Sequence, residues 1–335
     1  MRRALLIAAA SVGVAAIPFV TTDRYLLKVL TFVGINVIII AGLSLLLGYA
    51  GQISLGHAAF FGIGAYTSGV LTTGGWPFAA AFLAGVAVAA LGGLLLALPS
   101  LRLKGHYLAM ATLGFGEIMY IFFVEAKGIT GGVDGLGSIP PAQIASFAFA
   151  SPTANFLLVW FFAGLALLLV SNIVGLRPGR ALRAMHQSEL GAQACGVNLV
   201  REKVKVFVIS AGLAGLAGVL YAHFMGFISP SSFTLHLSIL LVTMVVLGGM
   251  GSMVGALAAT VLLTLLPYVD AIIPGLPRQV AETLQDFELD IYGLTLILVM
   301  LFLPGGLAGA LKTLGRRLWP QGAGGKRVVA ESEAQ

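Results

Sequence analysis

The 335-residue chain is 59% hydrophobic and only 10% charged, with a mean hydropathy of +1.00. A soluble domain is about one-quarter charged, so composition excludes an ordinary soluble fold and places the chain among polytopic membrane proteins. The formal net charge of +6 lies in loops and tails, where it sets orientation rather than marking a nucleic-acid surface. One cysteine, Cys195, excludes an intrachain disulfide framework.

Residues 1–20, "MRRALLIAAASVGVAAIPFV", read either as a signal peptide or as an uncleaved first helix. Further apolar runs are predicted as spans near 28–47, 53–72, 78–99, 106–124, 154–175, 203–225 and 291–312, with the first near 4–20. Residues 236–267 form one run that would be about 50 Å long as a single helix, against a hydrocarbon core of about 30 Å. "GGMGS", residues 248–252, offers a break, giving spans at 236–247 and 253–267. The basic clusters at Arg102/Lys104, at Arg177 to Lys205 and at Lys312, Arg316 and Arg317 all face the cytoplasm only if that run counts twice. The expected fold is therefore all-α, with about ten transmembrane segments and both termini cytoplasmic. Residues 1–315 form a single transmembrane domain, and residues 316–335 form a disordered tail.

Two external connections are long, 125–153 and 268–290, the second with a short amphipathic helix around Val280 to Phe287. The first carries "GITGGVDGLGSIPP", which cannot be regular helix. His223 and His236 flank an external turn and read as interfacial, and His106 reads as the start of a helix.

Ionisable residues inside membrane runs are functional candidates by default. Glu117, between Gly116 and Ile118 in "ATLGFGEIMYIFF", either lines a solvated cavity or pairs with a neighbouring helix. In "GYAGQISLGHAAFFGIGAYTSG", residues 48–69, the glycines at 48, 51 and 56 interrupt the helix where Gln52, Ser54 and His57 sit. A helix starting near Ser54 would aim its positive end at a cavity, whereas the alternative is close packing with satisfied hydrogen bonds. Gly64/Ser68 and Ala65/Gly69 have small-xxx-small spacing. The chain has no HExxH, CxxC, GxSxG or P-loop, and Glu117 is the one acid well inside a run, so a driven process would draw its energy from another subunit.

Residues 177–202 follow the sixth run and are expected to contain a cytoplasmic helix from Pro178 without a breaker until Gly191 or Gly196. Leu182, Met185, Ala192 and Cys195 form a narrow apolar stripe on it. Such a helix suits anionic lipid headgroups or a groove on a soluble partner.

Six stretches in family order carry a resemblance: "GYAGQISLGHAAFFGIGAY", "LRLKGHYLAMATLGFGEI", "ITGGVDGLGSIP", "GRALRAMHQSELGAQACGVN", "GLAGLAGVLYA" and "LGGMGSMVGALAAT". With them the chain resembles the LivM-type permease subunits of bacterial branched-chain amino acid ABC transporters. The resemblance implies an inner-membrane importer subunit that is not itself an enzyme. It also implies a homologous second permease, two cytoplasmic ATPase subunits that hold ATP and Mg, and a periplasmic substrate-binding protein. No cofactor is expected in this chain. In such transporters a cytoplasmic helix enters a cleft on the ATPase, commonly with an "EAA---G" pattern. Here Glu189 to Gly196 is one residue longer and the two alanines are "LG". Arg180, Arg183, Glu189 and Gly196 are the coupling candidates, Gln52, Ser54, His57 and Glu117 the path or gate candidates, and Thr130 and Asp134 the docking candidates for the binding protein. Branched-chain or other hydrophobic amino acids are the expected cargo. Urea, short amides or aromatic acids are the alternatives within the family, and a self-sufficient secondary transporter or channel is the rival outside it.

Overall fold

The computed structural model describes residues 17–20, 23–101, 103, 105–144, 147–268 and, beyond these, 293–294, 297, 301 and 306–309. The expected amphipathic helix at Val280 to Phe287 and the tail at 316–335 lie outside the described residues, as does the greater part of the spans at 4–20 and 291–312. The described helices are α1 (Arg24–Leu43), α2 (His57–Thr73), α3 (Phe78–Ser100), α4 (His106–Glu125), α5 (Pro152–Gly175), α6 (Arg177–Gln187), α7 (Glu189–Ala194), α8 (Leu199–Met225), α9 (Leu235–Gly248) and α10 (Met253–Leu265). Among the described residues, six helical stretches are long and apolar enough to cross a membrane: Arg24–Tyr49, Phe78–Ser100, His106–Glu125, Pro152–Gly175, Leu199–Met225 and Pro230–Gly248.

Burial separates the centre of the bundle from its periphery. The most apolar window of Arg24–Tyr49 is 83% buried, whereas that of His106–Glu125 is 17% buried. α1 runs through the middle, packed on α5, α8, α9 and α10, and α8 lies against both α2 and α3. In lipid, close backbone approach replaces the hydrophobic effect as the reason for helices to associate. The crossing of α2, α3 and α8 shows this directly. A Cβ on Gly64 would overlap the carbonyl of Gly215, and one on Gly215 would overlap Ala89. The small-xxx-small spacing at Gly64/Ser68 thus marks a real contact face, and Ser68 Oγ hydrogen-bonds His223 Nε2 at 2.7 Å across the same crossing.

The run 236–267 is two helices. α9 and α10 are packed against each other around the residues between them, 249–252, with Gly249 and Gly251 at positive φ. With the 3-10 turn before it, the first reaches nineteen residues, Pro230–Gly248, whereas the thirteen residues of Met253–Leu265 correspond to about 20 Å, short of a hydrocarbon core of about 30 Å. The hairpin therefore relies on its neighbours: Gly48 of the first long helix sits against Gly251 in the turn, and Asn36 Nδ2 donates to Thr264 Oγ1 at 3.0 Å.

At the opposite end of α4 the Gly-rich stretch forms a short helical turn, Lys127–Thr130, and a 3-10 turn, Gly132–Asp134. An antiparallel bridge between Leu136 and Ile228 ties it to the segment after α8, and Gln143–Ile144 pairs with Phe147–Ala148 as a small hairpin. The turn after α8 does not stay outside the bundle. Pro230–Phe233 inserts Phe233 among Phe61, Tyr66, Phe123 and Tyr221. His223, expected to be interfacial, is 3% exposed and held between Ser68 and the Pro140 carbonyl, to which its Nδ1 is 2.7 Å.

Candidate functional site: a broken helix beneath a basic elbow

The first long helix ends in a π-helical turn, Ser44–Tyr49, and the chain then runs without regular structure until His57. The second helix thus begins at His57 rather than at Ser54. Backbone freed inside a bundle must find partners, because lipid offers none. Here it does. The amides of Ala50, Gly51 and Gln52 reach back to carbonyls of Leu45, Leu47 and Leu46 at 3.0–3.2 Å. Leu55 N donates to Thr112 Oγ1 at 2.9 Å, and Ala58 N donates to Ser238 Oγ at 3.0 Å. Side chains from α4 and α9 therefore close the gap.

Of the four residues expected to line a path, Ser54 and His57 come together and are fully buried. His57 Nδ1 meets Ser54 Oγ at 2.9 Å, and Nε2 meets Ser210 Oγ on α8 at 2.7 Å. Gln52 is 6% exposed, and its Oε1 is buried without a hydrogen-bond partner among the described residues. Glu117 stands apart from them, partly exposed on α4, with no hydrogen bond or ion pair among the described residues. Its neighbour Gly116 packs against Leu55 and Gly56, so the carboxylate sits one residue from the break without entering it. Thr112, Ser210 and Ser238 were not singled out from sequence. Their signal was a lone hydroxyl inside an otherwise apolar run, a known device for joining membrane helices.

The basic segment is an elbow, not the continuous helix expected. α6 ends at Gln187, Ser188 is extended, and its Oγ caps α7 by accepting from Gly191 N at 3.1 Å. A serine that can cap offers the backbone an alternative to continuing the helix. Leu182, Met185 and Ala192 of the expected stripe are buried, but Cys195 lies beyond the bend and is exposed. Arg180 is exposed, and Arg183 is exposed with Nη1 3.3 Å from the Val174 carbonyl at the end of α5. Glu189 pairs with Lys203 at 2.6 Å, and the lysine side chain is 7% exposed. Gly196 is exposed just after α7.

Break and elbow touch. Gly51 has φ +69, and a Cβ there would lie 2.9 Å from Cδ2 of His186 on α6. A cleft of about 390 Å³ opens between the two, lined by Gln52 from the break, by Met185, Ser188 and Glu189 from the elbow, and by Lys203. Thr130 is 1% exposed, with its Oγ1 donating to the Phe123 carbonyl at 2.7 Å, while Asp134 is exposed beside Val133. Among the described residues no three His, Cys, Asp or Glu gather to hold a metal ion.

Residues 25–304 match the family described as branched-chain amino acid transport system, permease component. The high-affinity branched-chain amino acid transport system permease protein LivM of Salmonella typhimurium is 32% identical over 334 residues, covering 92% of this chain and 75% of the relative. LivM of Escherichia coli is 31% identical over the same shares. LivH, the permease protein of the same name class in Escherichia coli, is 28% identical over 296 residues, 81% of this chain and 90% of the relative. No solved structure matches the chain. A polytopic helical bundle, a helix broken beside a basic elbow and a match over most of the length agree: the chain belongs to the family of branched-chain amino acid transport system permease components.

Proposed function

We propose that the chain is one membrane subunit of a binding-protein-dependent ABC importer that carries branched-chain or other hydrophobic amino acids across the bacterial inner membrane. The observation that carries this reading is the contact of the basic elbow with the broken helix at Gly51 and His186. Two ATPase subunits, which would hold ATP and Mg, drive the cycle by pushing on residues 177–202. Arg180, Arg183 and the exposed face of α7 meet the ATPase, while Glu189 ties the elbow to α8 through Lys203. Motion of α6 then reaches the break directly, because no residue separates His186 from Gly51. The basic clusters support a cytoplasmic location for this end and for both termini, an orientation that about ten segments would satisfy.

A homologous second permease completes the path. The similarity of LivM and LivH relatives to the same chain supports such a pairing. Glu117 on α4 indicates where. A charged carboxylate facing lipid at mid-helix costs about 3 kcal/mol, so the sparsely buried face of α4 belongs against the second subunit and the central path. Gln52 stands beside that path, while Ser54 and His57 brace the break behind it. A periplasmic binding protein docks on the 125–153 side, with exposed Asp134 and Val133 as its contacts and Thr130 shaping the loop from within.

Reconstitution tests the reading. Proteoliposomes holding this chain, the second permease, the ATPases and the binding protein are expected to accumulate L-leucine only with ATP. Substrate flux through the chain without ATPases would instead support a channel or secondary transporter. ATP-driven uptake confined to urea, amides or aromatic acids would keep the mechanism and change the cargo.

A further inference from the structure

A groove on the rim of the bundle plays no part in the coupling scheme. α2, α3 and α4 enclose about 580 Å³, within the range of about 300–1,000 Å³ usual for ligand pockets. Apart from Tyr66, Thr67 and Thr130 its side chains are apolar, and none is charged. Thr130 Oγ1 already donates to the Phe123 carbonyl at 2.7 Å. Tyr66 differs: it is 4% exposed, its ring stacks on Phe123 with centroids 4.7 Å apart, and its hydroxyl is buried without a hydrogen-bond partner among the described residues. Such groups are rare, because a buried hydrogen bond left unmade is costly.

The surroundings of the groove select its occupant. Val88, Leu91, Leu95 and Phe122 form its outer edge and are exposed, so it opens sideways into hydrocarbon. At 3.6 residues per turn, Glu117 projects from the side of α4 away from Phe115, Met119 and Phe122, so a second permease seated on Glu117 leaves the groove to lipid. Along α3, Ala84 to Leu95 spans about 17 Å, close to half of a hydrocarbon core of about 30 Å, which is the depth of one leaflet. Gly85 lies against Gly64 and Ser68, which puts Tyr66 near the level of Ala84, at the loop end of the groove. Exposed Trp76, between α2 and α3, and exposed Lys127, in the same short turn as Ile129 and Thr130, mark headgroup level at that end. An amino acid would leave two charges unpaired against this wall, which rules out cargo as the occupant.

We propose that the groove holds one glycerophospholipid from the leaflet on the 125–153 side. An acyl chain runs past Leu91 and Met119 toward Leu95, the Tyr66 hydroxyl donates to an ester carbonyl, and Lys127 meets the phosphate. The lipid fills the gap between α3 and α4 and supplies the acceptor that the protein leaves out. The inference rests on the proposed seat of the second permease against Glu117.

Native mass spectrometry of the assembled permease–ATPase complex, stripped of lipid in detergent, tests this with dioleoyl phosphatidylglycerol as probe. One molecule is expected to be retained at least about tenfold more tightly than dioleoylglycerol, which lacks the phosphate, as a charged hydrogen bond implies. Lys127→Ala should erase that preference, and Ala84→Trp, which blocks the loop end of the groove, should abolish retention. Tyr66→Phe should weaken retention about threefold to tenfold. Without lipid, the same variant should unfold at or above the wild-type temperature, because the orphan hydroxyl is gone, so weaker retention is not a failure to fold. Equal binding of the two lipids by wild type, or unchanged retention in all three variants, overturns the proposal. A photo-crosslinker at Met119 that captures the second permease also overturns it, since that subunit then fills the groove, and the permease reading stands. A complex that retains the lipid as expected but imports no hydrophobic amino acid upholds the lipid site and overturns the permease reading.

Discussion

Gly51→Ala probes the contact on which the proposed coupling depends. The perturbation has two parts. Alanine at φ +69 sits in the left-handed region, which costs a non-glycine residue about 1–2 kcal/mol. Its Cβ also arrives 2.9 Å from His186 Cδ2, too close for carbon atoms, so the imidazole and α6 behind it must yield. The first part alone shifts the balance between docked and undocked elbow by about tenfold, since each 1.4 kcal/mol is a factor of ten. Reconstituted complex carrying Gly51→Ala is therefore expected to keep basal ATP hydrolysis, which the proposed function assigns to other subunits, while ATP-driven uptake falls at least about tenfold. His186→Ala combined with Gly51→Ala removes the clash but not the backbone strain, so uptake should recover in part. The cycle should show a coupling energy within about 0.5–3 kcal/mol, the range for residues in contact. Uptake by Gly51→Ala equal to wild type, or additivity of the two changes, would refute a direct link between elbow and break.

Three further outcomes follow from the packing. Ser210→Ala leaves His57 Nε2 buried without its 2.7 Å partner, and thermal unfolding of the purified complex should register a loss of about 1 kcal/mol, near the cost of one interhelical hydrogen bond; unchanged stability would mean that the ring is satisfied otherwise. Gly215→Leu drives a branched side chain into Ala89, and folded protein in the membrane fraction should fall sharply, because overpacking a close crossing costs about 1–3 kcal/mol or more; normal yield would show that α3 and α8 can part. Cys195, exposed beyond α7, should react with maleimide from the cytoplasmic side of inside-out vesicles and be protected once ATPases are bound; labelling from the periplasmic side would reverse the proposed orientation.

Much of this organisation is readable from residue order, for physical reasons that differ by element. Long apolar runs announce the six long helices because a membrane tolerates little else. The glycines of 48–56 and 248–252 mark breaks for a backbone reason, and both breaks are present. Burial of each break is a tertiary matter, and the hydroxyls that close the first one come from Thr112 and Ser238, which no local pattern pairs with Leu55 and Ala58. The bend at Ser188 is equally invisible to a hydrophobic stripe: Leu182, Met185 and Ala192 keep the right spacing whether the helix continues or restarts, and only Cys195 reveals the difference. His223 illustrates the reverse error. Its place beside a turn suggests an interface, but the ring is buried against Phe78 and held between Ser68 and the Pro140 carbonyl.

The most direct measurement is transport by a complex whose elbow is fastened to the break. Cysteines at Gln52 and Gln187, both in the cleft wall, can be joined by a reducible bifunctional maleimide in a Cys195→Ala background. With the second permease, ATPases and binding protein present, the joined complex is expected to hydrolyse ATP yet import no L-leucine, and a reducing agent should restore import. Import at the unjoined rate while the link is intact would contradict the idea that movement of this elbow against the broken helix drives transport.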